Sequence, residues 1–192
     1  MVILVSLFLG TTLAAVAGLR AFMPLFLIGV LGRADLLGPV FSIGESFTWL
    51  TSDLAILTFG SATVVEVVVD KFPGADTLLD TVMTFVRPGA GAVSVFAVLS
   101  SQDPTLGYVA GFVLAAGATI PVHLGKGLLR LGSHAATAGV GSPVLSMAED
   151  AGSAGAIILS ILVPILALFF GLVSLILIAR LVAKIRRRRA AT

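Results

Sequence analysis

Glu66 and Asp70 stand four residues apart at the end of an otherwise apolar run, and Asp76 and Asp80 repeat that spacing just beyond Pro73-Gly74. Four residues is close to one helical turn, so each pair shares a face, and like charges on one face repel unless something positive answers them. Lys71, Arg87 or a base from the second half of the chain could answer, as could a divalent cation held by oxygen ligands. In that second half, His123, Lys126 and Arg130 follow Pro121 at spacings of three and four, and Ser146, Glu149 and Asp150 follow a Gly-, Ala-, Thr- and Ser-rich loop from His134 to Pro143. Arg20 and Arg87 sit inside apolar stretches. A charge is costly in lipid, so an ionisable group at such a position faces a partner or a wet cavity. The candidate ligand-binding set is therefore Arg20, Glu66, Asp70, Lys71, Asp76, Arg87, Lys126, Arg130, Glu149 and Asp150. The bases would take an anion such as a phosphate or carboxylate, while Glu66 and Asp70 would couple protons or a cation. A shared site requires that these residues converge.

Plainer readings stand beside that one. Lys126 and Arg130 could snorkel to lipid head groups. Asp76 to Val86 could be an interfacial helix whose Leu78, Leu79, Val82, Met83, Phe85 and Val86 enter the lipid. His123 reads as a packed, hydrogen-bonded ring rather than a proton relay. No nucleophile elbow, phosphate-binding loop or paired-His zinc helix is present. Asp76-x-x-x-Asp80 resembles the magnesium carboxylates of intramembrane prenyl and alcohol-phosphate transferases, but their flanking Asn, Gly and Arg are missing. Metal and cofactor stay open, apart from the thiolate sites that the absence of Cys excludes.

The elements that must position these residues follow from composition. Of 192 residues 58% are hydrophobic and only 11% charged, and mean hydropathy is +1.13. A soluble domain carries about 25% charged residues, so a water-soluble globule and a disordered chain are both excluded. The expected fold is all-α, a polytopic helical membrane protein of about five spans with Pro-broken or re-entrant segments. The spans read as Val2 to Leu19, Leu50 to Val69, Thr81 to Leu99, Pro104 to Val122 and Gly155 to Val182, each close to one bilayer crossing. The third carries Arg87 and Pro88 within it. Ala15-Val16-Ala17 imitates a signal-peptide cleavage site, but no Lys or Arg precedes it and apolar character resumes at once, so a retained helix is expected. Arg180, Lys184 and Arg186 to Arg189 follow the last span. Their bias toward the cytoplasm places the C-terminus inside, in a cell inner membrane. The domain reading is one transmembrane domain over 1–185 and a basic tail over 186–192. Lipids are the expected partners. Nucleic acid is not.

A shift of 97 residues places Gly10 on Gly107, Pro24 on Pro121, Arg33 on Arg130, Gly44 on Gly141 and Asp53 on Asp150. Gly10, Ala14 and Gly18 form a small-residue ladder, repeated by Gly107, Gly111 and Ala115. Such ladders let helices approach closely in lipid, either inside the fold or across a homodimer. Each is followed by a proline expected to break or kink its helix. The units, 2–87 and 104–183, would be inverted if five spans hold. Matching broken segments in inverted halves point to a transport site between them.

The charged blocks also resemble a family of small bacterial multi-pass inner-membrane proteins catalogued only as a domain of unknown function. The resemblance rests on Gly18-Leu19-Arg20-Ala21-Phe22 with Pro24, Glu66-x-x-x-Asp70-Lys71-x-Pro73-x-x-Asp76, Arg87-Pro88 with Gly91, and Gly141-x-Pro143 with Ser146, Glu149 and Asp150. It implies an integral membrane protein whose polar blocks belong together, and no activity. From the residues themselves, the leading expectation is a transporter or lipid/anion translocation protein binding an anionic small molecule or lipid phosphate. The alternatives are a magnesium-dependent enzyme acting on a lipid phosphate, and a structural or assembly protein.

Overall fold

The structure is a computed structural model that describes residues 2–35, 42–72, 74–162 and 180. Among them every regular element is helical. The chain runs α1 (Val2–Leu19), α2 (Met23–Arg33), a 3-10 turn (Glu45–Thr51), α3 (Asp53–Val69), α4 (Ala75–Leu99), α5 (Pro104–Leu114), a π turn (Ala115–Thr119), α6 (Ile120–Thr137) and α7 (Ser142–Leu162). Side-chain caps set several starts. Ser52 accepts the Ala55 N–H at 3.2 Å, and Asp103 accepts that of Leu106 at 2.8 Å with Pro104 opening α5. Asp76 Oδ1 accepts the Gly74 and Thr77 N–H groups at 2.9 and 2.7 Å, which fixes the entry to α4.

Three helices are long and apolar enough to cross a membrane: Ala75–Leu99, the continuous Pro104–Thr137, and Ser142–Leu162. The Glu45–Thr51 turn and α3, bent by 66°, make a fourth if taken as one span. α1 and α2 are shorter apolar helices, so five is an approximate count of crossings. The expected third span exists as one unbroken helix despite Pro88, and the 76–86 segment is its first half rather than a separate interfacial helix. Leu78, Val82 and Phe85 nonetheless face outward. Most of the expected last span, the end of unit 104–183 and the basic tail lie outside the described residues.

α1 is the central helix. Leu9, Leu13, Ala14, Val16 and Ala17 are buried, chiefly against α4. Both small-residue ladders are used within the chain. Gly10 lies on Val95 and Leu99, Gly107 on Ser100 and Gly111 on Phe96, all along the second half of α4. Neither ladder is left as a free face for a second copy.

The expected break at Pro121 is absent. The chain instead widens into the π turn, in which the Ile120 N–H reaches back to the Ala115 carbonyl, and Pro121 follows at once inside a helix that runs on to Thr137. Of the two prolines that follow the ladders, Pro24 comes after a true break, opening α2 after Arg20 to Phe22. Of the positions aligned by the 97-residue shift, Gly10 and Gly107, Arg33 and Arg130, and Asp53 and Asp150 are helical in both halves, whereas the two prolines follow different local structures. The π turn is clamped from two sides. The Thr119 hydroxyl donates to the Ala14 carbonyl at 2.7 Å, and Gly18 and Gly91 leave the room in which Thr119 sits.

A methyl group at Gly91 would collide with the Thr119 side chain, whereas one at Gly89 meets nothing within 4 Å. Gly91→Ala should destabilise the protein by about 1–3 kcal/mol. Gly89→Ala should be neutral or stabilising by up to about 1 kcal/mol. Thermal unfolding in detergent checks the pair.

Candidate functional site

α1 stops at Leu19 in the middle of the bundle, and the chain turns through Arg20, Ala21 and Phe22 before α2 begins. Helix ends leave carbonyl and N–H groups without intrahelical partners, and in a dry interior only protein can satisfy them. Lys126 Nζ donates to the Leu19 carbonyl at 3.1 Å. The Glu66 carboxylate accepts the Ala21 and Phe22 N–H groups at 3.1 and 3.5 Å. Glu66 arrives on the single inward edge of α3, where Thr63, Glu66 and Asp70 are buried while Val64, Val65 and Val68 face outward.

Around this junction the charged side chains meet. Asp70 Oδ2 receives Arg20, Lys126 Nζ at 3.0 Å and Arg130 Nη2 at 2.9 Å. Glu149 Oε2 lies 3.0 Å from Arg130 and 3.5 Å from Lys126. Asp150 holds Arg20 Nε at 2.7 Å on one oxygen and Lys71 Nζ at 3.0 Å on the other. Asp80 Oδ1 pairs with Arg87 at 2.8 Å and Lys126 at 3.3 Å. Arg87 also reaches Glu66 at 3.4 Å. Asp76 spends Oδ1 on the α4 cap and offers Oδ2 to Arg130 at 3.3 Å. Arg20, Asp70 and Arg87 are fully buried, and Lys126 and Arg130 are too enclosed to be snorkelling.

All ten residues of the candidate set converge here. Convergence is a packing fact and assigns no ligand. Asp80 belongs to the cluster although it was placed outside that set. Its spacing of four from Asp76 and seven from Arg87 on one helix was the available signal. Ser146, whose hydroxyl accepts from Arg20 at 3.0 Å, also lies outside that set, and its signal was its spacing of three and four from Glu149 and Asp150 and its place in the family resemblance. His134, read as loop, closes the last turn of α6, with Nε2 3.4 Å from Asp76 Oδ2 and 2.5 Å from the Ser142 hydroxyl. His123 contacts Arg87 through Nδ1 and the Thr84 hydroxyl through Nε2 at 2.9 Å. A guanidinium only donates, so Nδ1 accepts and the ring is neutral with its proton on Nε2.

A family model described as Domain of unknown function (DUF4126) matches residues 7–184. The chain belongs to this family. The DUF4126 match takes in all but the start of α1 and every later element above, so the network and the junction it surrounds are parts of one family domain. No curated protein and no solved structure matches the chain.

Five bases meet six acids, a formal charge of −1 with the histidines neutral. Each base already faces a carboxylate. Among the described residues no three His, Asp or Glu side chains are grouped to hold a metal ion. Asp70 Oδ1, Glu149 Oε1, Arg87 Nε and Arg130 Nε are buried without a hydrogen-bond partner, which leaves donors and acceptors through which the network can change partners.

Removing one member of a buried pair strands the other. Asp70→Asn leaves three cations around a neutral amide and should cost about 3–5 kcal/mol. Lys71→Gln, at the half-open pair with Asp150, should cost less than about 1 kcal/mol. Detergent unfolding midpoints of both variants test the contrast.

Proposed function

We propose that this protein is a small membrane transport protein whose ionic network at the α1–α2 junction couples to a proton or a cation. The carrying observation is the position of Glu66 and Lys126, two ionisable side chains that also hold the freed backbone of an unwound segment. Interrupted helices whose ends meet ionisable groups are the usual construction of coupling sites in transporters. A charge change on Glu66 would release Ala21 and Phe22 and so alter how α1 and α2 are joined. The formal charge of −1 favours a positive species. Anion capture by Arg20, Arg87, Lys126 and Arg130, with an anionic small molecule or lipid phosphate as cargo, draws less support because each base is already answered by an acid. In this reading the protein lies in the cell inner membrane with the tail 186–192 in the cytoplasm.

A structural reading is favoured by one specific observation: the mutual pairing of the charges is nearly complete, as it would be if they served only to hold the broken helix. Proteoliposomes separate the two. With a pH-sensitive dye inside and an imposed gradient of protons or sodium, wild type should dissipate the gradient about ten-fold faster than empty vesicles, and Glu66→Gln should lose most of that gain. Equal flux in wild type and variant removes Glu66 from the mechanism. No flux of either ion through folded wild type leaves the structural reading standing.

A further inference from the structure

Between α4 and α6 a groove of about 460 Å³ opens beside the network, floored by Thr77, Asp80, Thr81, Thr84, Arg130 and His134. Its walls are Leu124, Leu128 and Leu131, each more than half exposed on the outside of the bundle. The volume is that of a small-ligand site. Polar floor and lipid-facing walls fit an amphiphile that enters sideways from the bilayer.

The chemistry of the floor selects the head group. Asp80 spends Oδ1 on Arg87 and Lys126, while Oδ2 meets only Arg130 at 3.7 Å, beyond hydrogen-bond distance. The Thr81 and Thr84 hydroxyls give their protons to the Thr77 and Asp80 carbonyls, both at 2.9 Å; Thr84 also accepts from His123, another lining residue, at 2.9 Å, while Thr81 keeps both lone pairs for a ligand. That end of the floor is rich in acceptors. A primary ammonium has three donors and no acceptor, and it would neutralise the network's charge of −1. Arg130 and His134 line the other end of the groove, formed by the start of α4 and the end of α6, where the adjoining phosphate would lie.

We infer that this groove binds a lipid whose head group carries a primary ammonium beside a phosphate, as in phosphatidylethanolamine. The ammonium sits on Asp80 and the threonines, and an acyl chain runs along Leu124, Leu128 and Leu131. Gly127 lines the groove, and a side chain there would meet nothing within 4 Å. Its absence is not required by packing and leaves the groove open. The inference does not depend on transport.

The test is binding to the full chain in detergent, read by thermal shift and by native mass spectrometry with added phosphatidylethanolamine, phosphatidylglycerol, phosphatidylcholine or free ethanolamine. Phosphatidylethanolamine should raise the unfolding midpoint by roughly 3–5 °C, more than the other three. Gly127→Leu fills the groove and should abolish the shift, while Gly125→Leu, equally unobstructed but off the groove, should keep it. If Gly127→Leu does not fold, Thr81→Val serves in its place, with binding expected to weaken several-fold. Equal shifts from all lipids, preference for phosphatidylglycerol, a response to free ethanolamine alone, or a full shift in the groove variants each overturn the inference. Binding without ion flux would count against the transport reading only, and flux without binding against this one only.

Discussion

A helix that ends inside an apolar bundle leaves a carbonyl and two N–H groups with no water to take them. At the α1–α2 junction these groups belong to Leu19, Ala21 and Phe22, and the side chains that take them are Lys126 and Glu66. Both are ionisable, so each must in turn be answered. Lys126 draws Asp70, Asp80 and Glu149 toward it, and Glu66 draws Arg87. Arg20 and Arg130 then stand opposite Asp70, and Asp150 closes the circuit through Lys71. The network thus follows from the interruption of one helix, given a solvent that satisfies nothing.

Its cost explains its compactness. A single charge on a helix in mid-bilayer costs about 3 kcal/mol by insertion scales, so eleven scattered charges would exceed the whole stability of an ordinary domain. Gathered round one junction, four elements share that cost. α3 contributes one edge, α4 its first half, α6 one face and α7 its opening turns. The other half of α4 does different work: it packs Gly10, Gly107 and Gly111 closely enough to hold α1 and α5 in place. One helix is therefore ionic at one end and close-packed at the other.

Much of this could be read from the sequence, for a simple reason. In a chain with 11% charge, the expense of burial marks individual residues, so Arg20, Glu66, Asp70 and Arg87 identify themselves by what surrounds them. The helical class follows equally from length and hydropathy. What could not be read depends on distant partners. Pro121 has several outcomes open to it, and the π turn was chosen by Gly18 and Gly91, which lie far away along the chain. Aligned residue types likewise took separate roles: Arg33 pairs with Asp53 at the surface, whereas Arg130 is buried among Asp70, Asp76 and Glu149. His134 was hidden by the small polar residues around it, although its spacing of four from Arg130 places it on the same face.

The π turn also acts on phase. Successive α-helical residues advance about 100° around the axis, so over the nineteen steps from Gly107 to Lys126 an uninterrupted helix would present Lys126 about 100° away from the face that Gly107 presses onto α4. One extra residue absorbed in the turn cancels that offset. The small-residue face of α5 and the basic face of α6 fall into line, and one rod meets both the close-packed and the ionic halves of its neighbour. Ala115 to Thr119 therefore works as a vernier between two interfaces that an ideal helix could not satisfy together.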